Sequence, residues 1–515
     1  MTTALAIATT SELAAQAGAE IARAGGNAVD AAIAASLVSI NTEPGVCSLA
    51  CGGYITVWPP GQAPTTLDGY VAIPGKGSSI NDSDRFAPEV HLEYGGGITT
   101  IIGPDSVGVP GAIALFGAAS KRYGCVPWNI LFDPAIEATR RGFPLPEACY
   151  NYLVHSGNIV FGRSADGFRA LHHADGQLKM PGESIHVPHL SDTLARIAAN
   201  GPEEFYTGEI GHAMSSYVAE TGGRLSEDDL ASYQIIDRPS LTINSSGNWK
   251  IATNPPPAIG GTVLAAMLQM MNRQPVKQWD LKSLRYLVDV QRAVLGYRRE
   301  CLDISERIDD DAERLLKLAI SKDPSRLLEA GSTCHTSTVD ATGLACAITV
   351  SAGYGAGDMP PGSGIWLNNC VGELELNKRG LDAGPPGTRL PSNMAPTAAI
   401  NSNGTILAIG SPGADRITTA ILQTLINHFQ LGMPVASAID HPRCHVEFTT
   451  SGYRVAYETG LAIDELLVPS RSFDAKSMYF GGVGAAAWSP DSGFTVAADS
   501  RRSGGTWCPA GASAR

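Results

Sequence analysis

GSTCHTSTVD, residues 331–340, sets a hydroxyl, a thiol and an imidazole side by side at the head of a β-type run. CHTSTVD and GLACAITVS read as two strands joined by a short turn carrying Asp340 and Gly343. A threonine hydroxyl is a poor nucleophile until a base takes its proton, and one such base is the α-amine of the same residue once that residue is an N-terminus. The ordinary α-amino pKa of about 7.7–8 suits this work near neutral pH. The chemistry wants a Thr, Ser or Cys at a strand start, behind a small residue in a connector that can be cut. Ser332-Thr333 has this arrangement. Cys334 is a rival nucleophile with no partner base nearby in sequence, and His335 reads on its own as a satisfied strand histidine.

Before this point the pattern is mostly helical. Leu13, Ala17, Ile21 and Ala24 recur at helical spacing behind Thr10 and Ser11, and Gly25-Gly26 ends that helix. Asn27 can cap a second, Ala-rich helix to about Ser39. GGYITVWPPG is a short strand stopped by a Pro-Pro-Gly turn, and the stretch to about residue 100 is rich in Gly, Pro and Ser. NPPPAIGGTVLAAMLQMM gives a helix apolar on nearly every side, hence buried. From Asp303 to Ala330 charge density rises, which reads as a solvated helix and a connector. GPEEFYTGEIG holds paired acids that read as a solvated face. After residue 331, further β-rich runs occur at TILAIGSPG, YRVAYETG and GVGAAAWSP. No repeat or long linker divides the halves, so one continuous α/β domain is expected, interrupted functionally near residue 332.

The 515 residues suffice for two or three average domains or for one large α/β domain, with 44% hydrophobic and only 17% charged residues. The net charge of −13, with no Lys/Arg run, argues against nucleic acid and anionic membrane as partners. No basic n-region followed by an apolar h-region opens the chain, and no stretch of about 18 apolar residues occurs, so a cytoplasmic enzyme is expected. The ten cysteines are scattered except for Cys47 and Cys51, which suggests reduced, mostly buried thiols. No HExxH, paired CxxC or P-loop is present, so neither metal nor cofactor is expected.

Eight segments occur in order: RAGGNAVDAAIAASL, VGVPGAIALFGAASKRYG, GGRLSEDDLASY, PPPAIGGTVLAAMLQMM, TCHTSTVDATG, GIWLNN, PSNMAPT and GSPGADRITTAILQTLIN. Together they resemble the γ-glutamyltransferase family of N-terminal-nucleophile hydrolases, from about residue 5 to about residue 505. The resemblance implies an α+β fold, a four-layer αββα sandwich. It also implies a precursor that cuts itself between Ser332 and Thr333 into a 1–332 large subunit and a 333–515 small subunit. The two stay together as a heterodimer within one intertwined domain, with further oligomerisation possible. By carry-over Thr333 is the nucleophile of both maturation and turnover. Ser351 falls near the second hydroxyl that holds it, and Gly413 and Ala414 supply oxyanion-hole amides, one such donor typically contributing about 3 kcal/mol.

The substrate end departs from the family pattern. Tyr70 stands in YVAIP where the resemblance expects an arginine that clamps an α-carboxylate, and a phenol has neither the charge nor the donor fork. The asparagine expected shortly after the catalytic strand pair is missing from SAGYGAG. Cys370 and Glu373 replace a Gln and an Asp that hold the substrate amine. Of a serine pair, Ser392 remains and Asn393 replaces the other, and the loop between Glu373 and Ser392 is shorter. Lys76 or Arg85 is a candidate relocated cation, although each reads more simply as a surface residue. Glu458 and Arg501 fall near the core without an assigned role. The expectation is a self-processing threonine hydrolase or acyltransferase for a small, anionic acyl group of oxalyl or keto-acid type, with water or an amine as acceptor. The alternatives are an ordinary γ-glutamyl transpeptidase, accelerated by glycylglycine, and an unprocessed ligand-binding relative.

Overall fold

Two sheets of seven strands share the chain, and the computed structural model describes residues 4–94, 97–320, 333–449, 452–502, 504–509 and 513–514. In the first sheet the Cys334–Asp340 strand lies between Leu5–Thr9 and Ala345–Ser351, all antiparallel. Gly52–Trp58, Thr65–Gly69 and Ile236–Pro239 extend it on one side and Gly505–Trp507 closes the other. The second sheet runs Ser513–Ala514, Gly493–Ala498, Gly484–Ser489, Ile406–Gly410, Thr397–Asn401, Trp249–Thr253 and Leu241–Ser245. Strands from both sides of residue 333 therefore contribute to each sheet.

The faces between the sheets are built from small side chains, among them Ala6, Ala8, Ala347, Ala398, Ala408 and Ala486. They remove little apolar area individually, but they let two pleated surfaces approach closely. The outer face of the first sheet is covered by the helices Glu12–Arg23 and Ala28–Thr42, and that of the second by Ile259–Met271, Leu281–Tyr297 and Arg416–Phe429. The result is a mixed α/β fold.

Local chemistry accounts for these helices. Ser11 accepts the N–H of Ala14 at 3.3 Å, and Asn27 forms a reciprocal capping box with Asp30. The second helix runs three residues beyond the expected end, to Thr42, because Asn41 and Thr42 bond their side chains back to the Leu37 and Val38 carbonyls. Gly18 is the contact point of the first helix. A Cβ there would sit 2.6 Å from Ile7 Cδ1 and 2.9 Å from the Ala31 carbonyl oxygen. Asp340, closing the Cys334–Asp340 strand, accepts the N–H of Ala28 at 3.2 Å and ties that strand to the second helix. The Ile259–Met271 helix is buried on nearly every side, as its composition predicts.

Three differences from the sequence reading have physical causes. The mainly helical half includes the strands Ile236–Pro239, Leu241–Ser245 and Trp249–Thr253, whose residues become regular only by pairing with distant partners. The charged segment forms a helix at Ile308–Ile320, but Ala312, Leu315 and Ala319 bury one side of it; residues 321–330 of that segment, with Ser332, lie outside the described residues. The paired acids of GPEEFYTGEIG divide: Glu204 is buried against Arg196 and Asn200, and the expectation of a wholly solvated face fails there.

Candidate active site

Thr333 directly precedes its strand and is only 3% exposed. The antiparallel register sets Cys334 opposite Val350, and one further step sets Thr333 opposite Ser351. Ser351 is buried, and its Oγ accepts the N–H of Gly353 at 3.2 Å. The two hydroxyls that the sequence separates by a hairpin are thereby brought to the same end of one strand pair.

Strand alternation assigns the neighbours to opposite faces. Thr336 bonds Thr9 at 2.9 Å and Ser36 at 3.2 Å on the helix side. Cys334 points to that side as well, with Sγ 3.6 Å from Glu43 Oε2. Its thiol, hydrogen-bonded to Cys47 and buried, is pushed well above the usual cysteine range. A protonated thiol facing away from the second sheet is a weak rival to Thr333. His335 faces the second sheet, with Nε2 2.7 Å from Ser337 Oγ and Nδ1 2.8 Å from Thr349 Oγ1. Burial lowers its pKa to about 3, so the ring is neutral and both nitrogens are occupied.

The Ile406–Gly410 strand ends against this histidine. A Cβ on Gly410 would lie 2.2 Å from His335 Cε1, so only glycine fits. The following turn is fixed by Ser411, whose Oγ donates to the Pro412 carbonyl at 2.6 Å and accepts the Gly482 N–H at 3.0 Å. Gly413 has φ 124° and Ala414 φ 65°, and the Arg416–Phe429 helix starts just beyond. Among the described residues no protein acceptor takes the N–H of Gly413 or Ala414. Pro412, at the start of this turn, borders the same small cavity as Thr333 and His335.

Ala414 holds a left-handed conformation that costs a non-glycine residue about 1 kcal/mol or more. Ala414→Gly is expected to relieve that strain, offset by the larger entropy of glycine in the unfolded chain. Denaturant titration should register a gain of about 0–1 kcal/mol. The backbone N–H is retained, so kcat should stay within about threefold.

Behind the turn lies a buried charge cluster. Arg298 donates through Nε to Asp303 at 2.9 Å and through Nη1 to Asp415 at 2.6 Å. Asn393 donates to the same Asp415 oxygen at 2.9 Å. Burial outweighs the pull of Arg298 on Asp303 and pushes that carboxyl up to about 7. Asn393 is thus brought next to the Gly413–Ala414 turn, and Ser392, bridged to Ala258, accepts the Met394 N–H at 3.2 Å.

Tyr70, Cys370 and Glu373 come together at the other end. Tyr70 stacks on Tyr54 with centroids 5.6 Å apart, and its hydroxyl is hydrogen-bonded to the Cys370 thiol. Cys370 Sγ lies 4.0 Å from the Ser351 carbonyl oxygen, which links this group to the end of the Ala345–Ser351 strand. Val71, Ile73, Leu390 and Met394 complete an apolar wall. Burial, then the neighbouring Cys370 and Glu373, raise the Tyr70 phenol well above its usual range, so it stays neutral. Glu373 is fully buried against Gly353, where a Cβ would come within 3.2 Å of its Oε2.

The candidate relocated cations are committed elsewhere. Lys76 donates to Ser232 at 2.8 Å, and Arg85 is paired with Asp105 at 2.7 Å and Asp382 at 3.1 Å. Arg85 is correspondingly partly sheltered, its side chain 16% exposed. Glu458 and Arg501 form a buried ion pair that also engages Asp499. Three buried groups escape the sequence reading: Tyr54, Arg298 and Glu43. Glu43 alone left a signal, since it is the only charged residue between Asp30 and Asp68.

A family model described as gamma-glutamyltranspeptidase matches residues 14–508. The chain is 28% identical over 495 residues to a glutathione hydrolase proenzyme of Escherichia coli, covering 89% of this chain and 83% of the relative. It is 27% identical over 524 residues to an acylase ACY 1 proenzyme of a Pseudomonas species, covering 97% and 92%. A cephalosporin acylase structure from Bacillus halodurans superposes with a TM-score of 0.78 at 23% identity, over 99% of this chain and 96% of that one, and supports the fold. No helix among the described residues is long and apolar enough to cross a membrane.

Proposed function

The chain belongs to the gamma-glutamyltranspeptidase family, and from that premise we propose that it is a self-processing threonine hydrolase or acyltransferase on an αββα sandwich, with a remodelled acyl pocket. The observation that carries this reading is the pairing of buried Thr333 and Ser351 beside a turn with two N–H groups that no acceptor among the described residues takes. Thr333 Oγ attacks the Ser332 carbonyl in maturation, dividing the chain into residues 1–332 and 333–515. The freed α-amine then serves as base when the same oxygen attacks an acyl donor. Ser351 positions the nucleophile, and the Gly413 and Ala414 amides receive the developing oxyanion.

Tyr70, Cys370 and Glu373 form the acyl end in this reading, with Ser392 and Asn393 completing it near the turn. Neutral donors and an apolar wall suit a small acyl group whose second carbonyl or carboxylate needs no guanidinium, as in an oxalyl or keto-acid amide. Glu373, which corresponds to the acid that holds the substrate amine in the family pattern and could still meet an ammonium, supports a second reading, the ordinary γ-glutamyl transpeptidase. A panel of p-nitroanilides separates the two. Oxalyl-type or other short acyl amides are expected to be turned over at least tenfold faster, by kcat/KM, than γ-glutamyl-p-nitroanilide, with no acceleration by glycylglycine. Efficient γ-glutamyl release stimulated by the dipeptide would favour the second reading instead.

A further inference from the structure

Self-cleavage poses a problem that turnover does not. Before the Ser332–Thr333 bond is cut, the nitrogen of Thr333 is an amide with no basic lone pair, so the base of the mature site does not yet exist. A different group has to take the proton from Thr333 Oγ. The described residues around Thr333 narrow the choice. His335 is neutral with both ring nitrogens hydrogen-bonded. The Cys334 thiol is held protonated. Asp499 receives the N–H groups of Val483 and Arg501 and salt bridges from Arg443 and Arg501.

Glu43 is the remaining acid. It and Thr333 border one cavity of about 30 Å³, together with Thr10, His335, Asp499 and Arg502. That volume admits a water molecule, which needs about 10–15 Å³ and two or more polar partners. Resting on the self-processing reading, we infer that Glu43 is the general base of maturation, acting on the Thr333 hydroxyl through one water in this cavity. The proton passes from Oγ through the water to the Glu43 carboxylate as the Oγ–C bond to the Ser332 carbonyl carbon forms. The Ser332–Thr333 C–N bond then breaks, and its nitrogen recovers a proton from Glu43 by the same route, leaving an ester on Thr333. A second water cleaves that ester, giving the Ser332 carboxylic acid and restoring the hydroxyl.

The environment of Glu43 fits a base poised near neutrality. Thr10 donates to its Oε1, Cys334 reaches Oε2, and Ser39, Cys149 and Arg502 surround it, with Cys47 behind Cys334. Burial pushes its pKa from 4.5 to about 7. The folded chain therefore binds this proton more tightly than the unfolded chain does. Any stability from it is present below about pH 4.5 and is lost as pH rises through about 7.

The test is a cleavage time course of freshly synthesised full-length chain across pH 6–9, for wild type, Glu43→Gln and Glu43→Asp. Glu43→Gln is expected to slow cleavage by about 10²–10⁴-fold, the usual contribution of a positioned base. Wild-type cleavage should accelerate with pH to a plateau with an inflection near 7, and the Gln variant should lose that inflection. Glu43→Asp should recover part of the rate. Thermal unfolding at pH 8 should leave Glu43→Gln as stable as wild type or more so. Equal rates and pH profiles in wild type and Glu43→Gln would overturn the inference, as would a slow Gln variant that Asp does not improve. A wild-type chain that never cuts would overturn the self-processing reading itself, and this base with it.

Discussion

Thr333→Ala protein should remain one uncut chain of 53.8 kDa with no measurable acyl release, while Thr333→Ser should cut and turn over at a reduced rate. In the proposed mechanism alanine removes the atom that attacks in both steps. Serine keeps Oγ but loses the methyl group that restricts χ1, so the oxygen is held less firmly toward the carbonyl. The alanine variant should fold, because Thr333 lies outside the hydrophobic clusters and loses only a hydroxyl and a methyl group. Gel analysis and a p-nitroanilide assay check both variants. An alanine variant that still cuts before residue 333 would pass the role to another group.

The second large effect is expected at Arg298. Its guanidinium is almost wholly buried and bridges Asp303 and Asp415, which in turn holds Asn393 behind the Gly413–Ala414 turn, the proposed oxyanion site. Arg298→Met would strand buried acids without their cation, and breaking a buried pair in this way costs about 3–5 kcal/mol. Asp415 immediately follows Ala414, so the turn should shift as well as weaken, lowering kcat by about 10²-fold. Asp303→Asn should cost far less at pH 7, because burial already pushes that carboxyl up to about 7. Denaturant titration and kcat on the two variants check the contrast. Equal losses would mean that Asp303 is as essential an anion as Asp415.

How legible all this is in the sequence depends on range. Thr333, its strand and the hairpin partner ending in Ser351 are local, written in β-type composition and a short turn. The turn at Gly413 and Ala414 is equally local, in its glycine and proline content. The acyl end could be named residue by residue, but its character could not. Tyr54 meets Tyr70 because Tyr70 directly follows the Thr65–Gly69 strand that pairs with the strand of Tyr54, and no spacing predicts that the two rings form a wall with Leu390 and Met394. Arg298 sits in a helical stretch where an arginine normally reads as solvated. Only the long-range packing of that helix on the turn buries it. Glu43 is intermediate: an isolated acid in a long uncharged run is visible, but its neighbour Cys334 lies 291 residues away.

The most direct measurement of the central claim is the intact mass of freshly purified wild-type protein, with N-terminal sequencing of any fragment. Self-processing predicts two tightly associated pieces of about 35 and about 19 kDa, in proportion to residues 1–332 and 333–515, the smaller one beginning Thr-Cys-His. A single 53.8 kDa species that persists on long incubation, or a cut at any other bond, would contradict it.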